Sequence, residues 1–291
     1  MRLIICLPGD GTQFESFTYP AGESQVRLKS AAAAEIHQSE AVEIHARIHQ
    51  AQPLMELLLL VDAIRGVKPA GSIILKIPYL PYARADRRFV DGDCHGLKVM
   101  GDLLALCAFS EIHTLDVHNP NKAYTHISSL LRNVNSDQLI LRAIEDFGEH
   151  VESTLNVLLP DAGAIQRYKL PEVHKGVAIN ILHASKKRDA SSGALAGFAV
   201  PEKNEFHGNA VLIVDDICDG GGTFIGIAKE LSKIGRFDLR LFVTHGIFSA
   251  GTAVLQPYFE RIYTTNSVIT APLPHQLLSV YDAFAAMESE S

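Results

Sequence analysis

The chain has 291 residues, enough for two domains of ordinary size or one large one. It is 47% hydrophobic and 20% charged, a globular balance, and no stretch reaches the roughly 20 uninterrupted apolar residues of a membrane span. A formal net charge of −7 argues against a general nucleic-acid binder; Cys6, Cys94, Cys107 and Cys218 share no CxxC spacing, so neither zinc site nor disulfide framework is expected and the cytoplasm is the default compartment.

In chain order, the opening MRLIICL is too short for a secretory signal and reads as a strand from Arg2 to Leu7. The helical pattern from Pro53 to Arg65 is apolar almost all round, which fits deep burial or a subunit interface. A strand at Ser72 to Ile77, a helix at His95 to Ala108 and a strand at Ile112 to Val117 follow. The segment from Asn133 to Glu152, with a helix at Ser136 to Phe147, reads as a crossover between two halves. Further strands are expected at Thr154 to Leu159, Val177 to Leu182, Ala210 to Val214 and Leu239 to Thr244, with helices at Thr223 to Ile234 and His275 to Met287. Strands apolar on both faces, alternating with helices, indicate an α/β protein with parallel sheets covered on both sides.

The stretch VLIVDDICDGGGTF, Val211 to Phe224, is the most informative. A buried strand delivers Asp215 and Asp216, then Asp219, Gly220, Gly221, Gly222 and Thr223, to the place where a helix begins. Carboxylates accept from ribose hydroxyls, and bare loop amides at a helix N-terminus receive phosphate. Three glycines alone would signal only a tight turn. The acids in front of them tip the balance toward a sugar-phosphate site.

A second anion signature is KIPYLPYARADRR, Lys76 to Arg88, where Arg84, Arg87 and Arg88 surround Asp86 at the carboxyl end of a strand. Arginine grips phosphate oxygens in pairs and stays charged. Tyr79 and Tyr82 would pack against a base or against the sheet.

With these segments together, the chain resembles the ribose-phosphate pyrophosphokinases over nearly its whole length. YPAGESQVRL (Tyr19 to Leu28) matches that family's F-x-D-G-E hairpin, PLMELLLLVDAIR (Pro53 to Arg65) its MELL helix and PYARADR (Pro81 to Arg87) its PYARQDR segment. LDVH (Leu115 to His118) matches DLH, LPDAGAIQR (Leu159 to Arg167) the PDHGG-x-x-R loop, SKKR (Ser185 to Arg188) the KRR flexible loop, and DDICDGGGT (Asp215 to Thr223) DDIIDTAGT. No single match carries the resemblance; their order does.

The resemblance implies two similar doubly wound parallel-sheet domains of the phosphoribosyltransferase type, residues 1–135 on the ATP side and 136–291 on the ribose-phosphate side. It implies Mg²⁺-dependent transfer of the β,γ-diphosphoryl group of ATP to the anomeric hydroxyl of ribose 5-phosphate, with release of AMP. Arg84, Asp86 and Arg87 would contact ATP, with His118 near the polyphosphate and Tyr19 and Glu23 supplied by the hairpin. His118 and Asp161 would hold Mg²⁺. Asp215 and Asp216 would take the ribose hydroxyls, and Asp219, Gly220, Gly221, Gly222 and Thr223 the 5-phosphate. Lys186 and Arg188, with His118, would be the catalytic groups, the first two on a mobile loop. In the family the hairpin enters a neighbouring subunit's ATP site, so a homo-oligomer is implied, with no nucleic-acid or membrane partner.

Departures accompany the match. The family's Asp, Gln, His and Thr are replaced by Ala21, Ala85, Ala162 and Gly220, and its first N-terminal helix is missing between Met1 and Tyr19. Ala21 and Ala85 take away polar contacts to ATP, and Gly220 widens the phosphate loop. An alternative acceptor is therefore a larger molecule containing ribose 5-phosphate, such as ADP-ribose. A non-catalytic regulatory homologue is a further alternative, opposed by the retention of His118, Asp161, Lys186, Arg188 and the loop acids. A phosphoribosyltransferase would share the acid-then-glycine loop but should lack PYARADR and a second α/β half.

Overall fold

The computed structural model describes residues 2–127, 130–148, 154–188, 195–268 and 277–288. It divides into two compact units, one comprising the described residues up to Val134 with Met287 and Glu288, the other running from Asn135 to Ala286.

In the first unit, strand β1 (Arg2–Leu7) leads without a helix into a hairpin of β2 (Phe14–Thr18) and β3 (Ser24–Leu28). Helix α1 (Ser30–Gln38), β4 (Ala41–Ala46), α2 (Ala51–Val67), β5 (Ser72–Lys76), α3 (Gly96–Leu106), β6 (Glu111–Leu115), α4 (Pro120–Ile127) and β7 (Leu131–Val134) follow. The five strands β1-β4-β5-β6-β7 form one parallel sheet. Alternate residues such as Ile5, Val42, Ile44, Ile73, Leu75 and Ile112 point to one face, where they pack with side chains of all four helices.

The opposite face of β4 and β5 carries Glu43, His45 and Lys76, all buried. Lys76 Nζ lies 2.8 Å from Glu43 Oε1 and 3.4 Å from Glu288 Oε1, and His45 Nε2 lies 2.5 Å from Glu43. Burial works to raise the Glu43 carboxyl, but Lys76 and His45 hold it below its usual range. Glu43, His45 and Glu288 are near enough to share a cation, and the Lys76 ammonium already stands between the two carboxylates.

In the second unit, α5 (Asp137–Gly148), β8 (Thr154–Leu159), α6 (Ala162–Arg167), β9 (Val173–His174), β10 (Val177–His183), β11 (Ser185–Arg188) and β12 (Leu195–Ala199) come first. They are followed by β13 (Ala210–Cys218), α7 (Gly222–Ile234), β14 (Asp238–Gly246), β15 (Arg261–Thr265), β16 (Leu278–Tyr281) and α8 (Ala283–Glu288), whose last two residues belong to the first unit. The seven-stranded order β16-β15-β14-β13-β8-β10-β9 is parallel except for the short edge strand β9. Val211, Leu212, Ile213 and Val214 of β13 are fully buried, as a strand covered on both faces requires. The fold is thus α/β with parallel sheets. Among the described residues no helix is long and apolar enough to cross a membrane, and all four cysteines are free thiols.

Three sequence expectations need correction. The strand expected to stop at Val214 continues to Cys218, because β14 runs alongside it to Gly246 and pairs with Asp215, Ile217 and Cys218. The helix expected from His275 is a strand over Leu278–Tyr281, drawn into parallel pairing with β15; α8 starts only after Asp282, whose Oδ1 accepts from Ala285 N at 2.8 Å. Residues 275 and 276 lie outside the described residues. Lys186 and Arg188, expected on a loop, stand on β11, paired antiparallel with β12. That ribbon is anchored by Phe198, which packs where a Cβ on Gly226 of α7 would come within 2.3 Å of its ring.

The α2 helix buries Leu57, Leu60, Val61 and Ile64 against the sheet, while Leu54, Leu58 and Leu59 are only half-buried and Met55 is 49% exposed. It is therefore one-sided in this chain rather than deeply buried.

Candidate functional site

Three loops at the carboxyl ends of the neighbouring strands β8, β13 and β14 meet in the second unit. From β13, Asp215 and Asp216 project within the strand, and Arg167 at the end of α6 reaches both. Arg167 Nη1 is 2.7 Å from Asp216 Oδ1 and 3.3 Å from Asp215 Oδ1, and the Asp216 amide donates to Asp215 Oδ1 at 2.9 Å. One guanidinium therefore serves two nearly buried carboxylates. Burial and the Asp216 charge push the Asp215 carboxyl well above its ordinary range, against the pull of Arg167.

Beyond the acids the chain turns into α7 through Gly221, which caps the helix at φ 81. A Cβ there would also meet Leu255 at 2.9 Å, so glycine is required twice over. With glycine at the cap, no side chain competes for the first-turn N–H groups, which point to where an anion would sit. Asp219 is held from the β14 side: Ser249 Oγ donates to its Oδ1 at 2.6 Å, and the Ser249 amide to its carbonyl at 3.2 Å. Cys218, buried just before it, has its thiol pushed up to about 12 by burial and the nearby acids, so it is no nucleophile.

Asp161 follows β8 and divides its carboxylate between two tasks. Oδ1 accepts from the amides of Gly163 at 3.0 Å and Ala164 at 3.3 Å, capping α6, while Oδ2 receives Lys186 Nζ of β11 at 3.1 Å. Burial opposes ionisation, but Lys186 and the helix amides bring its carboxyl below the usual range. A partly exposed, ionised oxygen of this kind is a fitting hard ligand for Mg²⁺.

In the first unit the corresponding strand-end chemistry is basic. Asp86 is buried and grips Arg87 at two points, Nε to Oδ1 at 2.8 Å and Nη2 to Oδ2 at 3.3 Å, while Asn119 Nδ2 donates to Oδ2 at 3.3 Å. Arg87, with help from His118 and Lys122, holds the Asp86 carboxyl below its usual range. Arg84, Arg87 and His118 remain exposed. Tyr82 stands in the left-handed region at φ 63 with its ring half in solvent, and its carbonyl accepts from Ala85 N at 2.9 Å. Strain in a turn that displays two arginines is of the kind kept at ligand sites. Tyr19 and Glu23, both exposed, close the hairpin turn through Tyr19 N to Glu23 O at 2.8 Å.

A family profile described as the N-terminal domain of ribose phosphate pyrophosphokinase matches residues 10–107. A ribose-phosphate pyrophosphokinase of Pyrococcus abyssi is 32% identical over 257 residues, 87% of this chain and 83% of the relative. The chain belongs to the ribose-phosphate pyrophosphokinase family. A Pyrococcus furiosus ribose-phosphate pyrophosphokinase is 29% identical over 272 residues, covering 92% of this chain and 90% of its own. The phosphoribosylpyrophosphate synthetase of Mycobacterium smegmatis shares the fold at TM-score 0.75 and 20% identity, over 99% of this chain and 97% of that one. As a member of the family, the protein is an enzyme of the transferase and kinase class and belongs to nucleotide biosynthesis.

Against that family, the structure brings together Asp215 with Asp216, Asp161 with Lys186, and Asp86 with Arg87. His118 lies in the first unit and Asp161 in the second, and each is described within its own unit. The side chain of Arg188 is outside the described residues. Sequence reasoning missed three participants. Arg167 was visible as the last letter of its motif, with no sign that it binds the β13 acids; Ser249 and Asn119 carry no motif. At the replaced positions, Ala85 packs against the first turn of α3, where a Cβ on Gly96 would meet it at 3.0 Å. A Cβ on Gly220 would meet nothing nearer than Ser249 Oγ at 3.8 Å.

Proposed function

We propose that the enzyme transfers the β,γ-diphosphoryl group of ATP to the anomeric hydroxyl of ribose 5-phosphate, giving phosphoribosyl diphosphate and AMP. The observation that carries this reading is the acid pair of β13 held by Arg167 in front of an open glycine turn and helix N-terminus. Asp215 and Asp216 accept the ribose hydroxyls, and the Asp219–Thr223 turn receives the 5-phosphate on its amides. The first unit takes the donor: Asp86 fixes Arg87, which with Arg84 meets phosphate oxygens, and His118 stands by the polyphosphate. The hydroxyl oxygen attacks the β-phosphorus and the bond to the oxygen bridging the α-phosphorus breaks, a step that asks for alignment and charge neutralisation rather than covalent help. Lys186 and Arg188 supply positive charge to the moving group. Asp161 in the second unit and His118 in the first would each serve as a ligand for Mg²⁺, which would offset the diphosphate charge. The Tyr19–Glu23 hairpin completes a neighbouring subunit's donor site in a homo-oligomer.

A second reading is favoured by the room at Gly220, where the family motif has threonine. Where side chains would close the loop around a phosphate monoester, this chain leaves space for a phosphate that continues into a larger group, as in ADP-ribose. Mass spectrometry of reactions with ATP, Mg²⁺ and each acceptor separates the two. Phosphoribosyl diphosphate and AMP from ribose 5-phosphate support the first; a diphosphorylated ADP-ribose with inert ribose 5-phosphate would replace it with the second. Lys186→Ala should abolish AMP release in either case.

A further inference from the structure

We propose that Phe89 is a specificity-determining residue whose ring stacks on the base of the nucleotide donor. The inference rests on the reading that the first unit holds the donor. Phe89 is 76% exposed and Val90, next to it, 66%. One exposed apolar side chain on a slack loop would need no explanation. This turn is not slack. Asp93 Oδ2 accepts from the amides of Phe89 at 2.9 Å and Val90 at 3.1 Å, Asp93 N donates to Val90 O at 3.2 Å, and Arg88 Nε donates to Asp93 O at 2.9 Å. Gly92, at φ 92, allows the chain to close. Four hydrogen bonds thus maintain a conformation that leaves the aromatic ring exposed among the described residues.

The neighbourhood identifies what the ring would meet. The Arg87 guanidinium lies 5.8 Å from the Phe89 ring centroid and is itself aimed by Asp86. A fixed arginine beside an exposed ring offers charge for phosphate and a π-face for a flat heteroaromatic group, the two halves of a nucleotide. Stacking is tolerant of base identity, so the ring would favour nucleotides over bare polyphosphates without choosing strongly among bases.

The chain contains no tryptophan, so Phe89→Trp installs a sole indole reporter at the site. Its emission should be quenched by ATP and by AMP and left unchanged by inorganic tripolyphosphate. Phe89→Ala should raise the Kd for ATP about tenfold while leaving inhibition by tripolyphosphate as it was, and Phe89→Tyr should restore ATP affinity. The position is exposed, and an unchanged Tm would show that the variants remain folded. Equal weakening of ATP and tripolyphosphate by Phe89→Ala would mean that the ring merely supports Arg87, and would overturn the proposal. So would unchanged ATP affinity in Phe89→Ala alongside a loss in Arg87→Ala, a result that leaves the donor reading standing. If Arg84→Ala and Arg87→Ala both bind ATP normally, the donor reading itself fails and the inference goes with it.

Discussion

Both units place acid and arginine together at the carboxyl ends of parallel strands, yet in different proportions. In the first, one buried carboxylate, Asp86, is spent on aiming one arginine, which stays exposed. In the second, one buried arginine, Arg167, is shared by two carboxylates, and the acids are what the site presents. Under the proposed function the difference sorts the ligands: the arginine held by an acid would meet an anion, and the two acids held by an arginine would meet hydroxyl groups. The same difference appears in the carboxyls themselves, with Asp86 drawn down and Asp215 pushed up.

The largest effect should come from removing the shared arginine. Arg167→Met leaves two nearly buried carboxylates facing each other without compensation, and breaking such a buried group costs about 3–5 kcal/mol. Denaturant unfolding at neutral pH should show that loss. Adding Asp216→Asn to Arg167→Met should recover part of it, and a double variant no better than the single one would mean that the acids do not need the arginine.

Next comes the donor side. Asp86→Asn keeps the shape of the side chain and removes the charge that orients Arg87. The KM for ATP should rise about tenfold with little change for the acceptor, the mark of lost alignment at one substrate. Because Asp86 is held below the usual carboxyl range, it contributes stability above about pH 4 that is lost as pH falls through its folded value. The variant should lack that acid-side loss, which thermal melts between pH 3 and pH 5 would read.

Asp215 should behave in the opposite sense. Its carboxyl is raised on folding, so the native state keeps a proton that the unfolded chain releases near pH 4, and stability declines as pH rises from there toward the folded value. Asp215→Asn removes that decline. Its Tm should match the parent at pH 4 and exceed it at pH 7, while ribose-phosphate affinity falls. A Tm below the parent at pH 7 would show that the ionised carboxylate is stabilising there.

How far this contrast was legible beforehand depends on where the chemistry sits along the chain. Val211 to Val214 announced a strand because every residue is apolar and every one is buried. Strand β4 did not, since Glu43 and His45 interrupt the pattern, and the charge that pairs with the buried Glu43, Lys76, comes from another strand. β15 was hidden in the same way by Thr264 and Thr265, fully buried polar residues, the latter bonded to Thr244 O at 2.7 Å. The loop acids, Asp161 and Lys186 stood out because their motifs are local. Arg167 binds a residue 48 positions away, Asn119 one 33 away and Ser249 one 30 away, so only the fold brings these pairs together.

The smallest effect, and the one that bears on the acceptor, belongs to the glycine turn. Gly220 has no close neighbour and no left-handed backbone, unlike Gly221. Gly220→Thr should therefore leave stability within about 0.5 kcal/mol, as unstrained surface changes do, whereas Gly221→Ala should destabilise by more than 1 kcal/mol through strain and contact with Leu255. The added hydroxyl and methyl of Gly220→Thr would narrow the phosphate loop. If the open turn serves a large acceptor, kcat/KM for ADP-ribose should drop while that for ribose 5-phosphate holds or rises. If both acceptors respond alike, the space at Gly220 has no part in choosing between them, and the distinction must be sought in the acids that Arg167 holds.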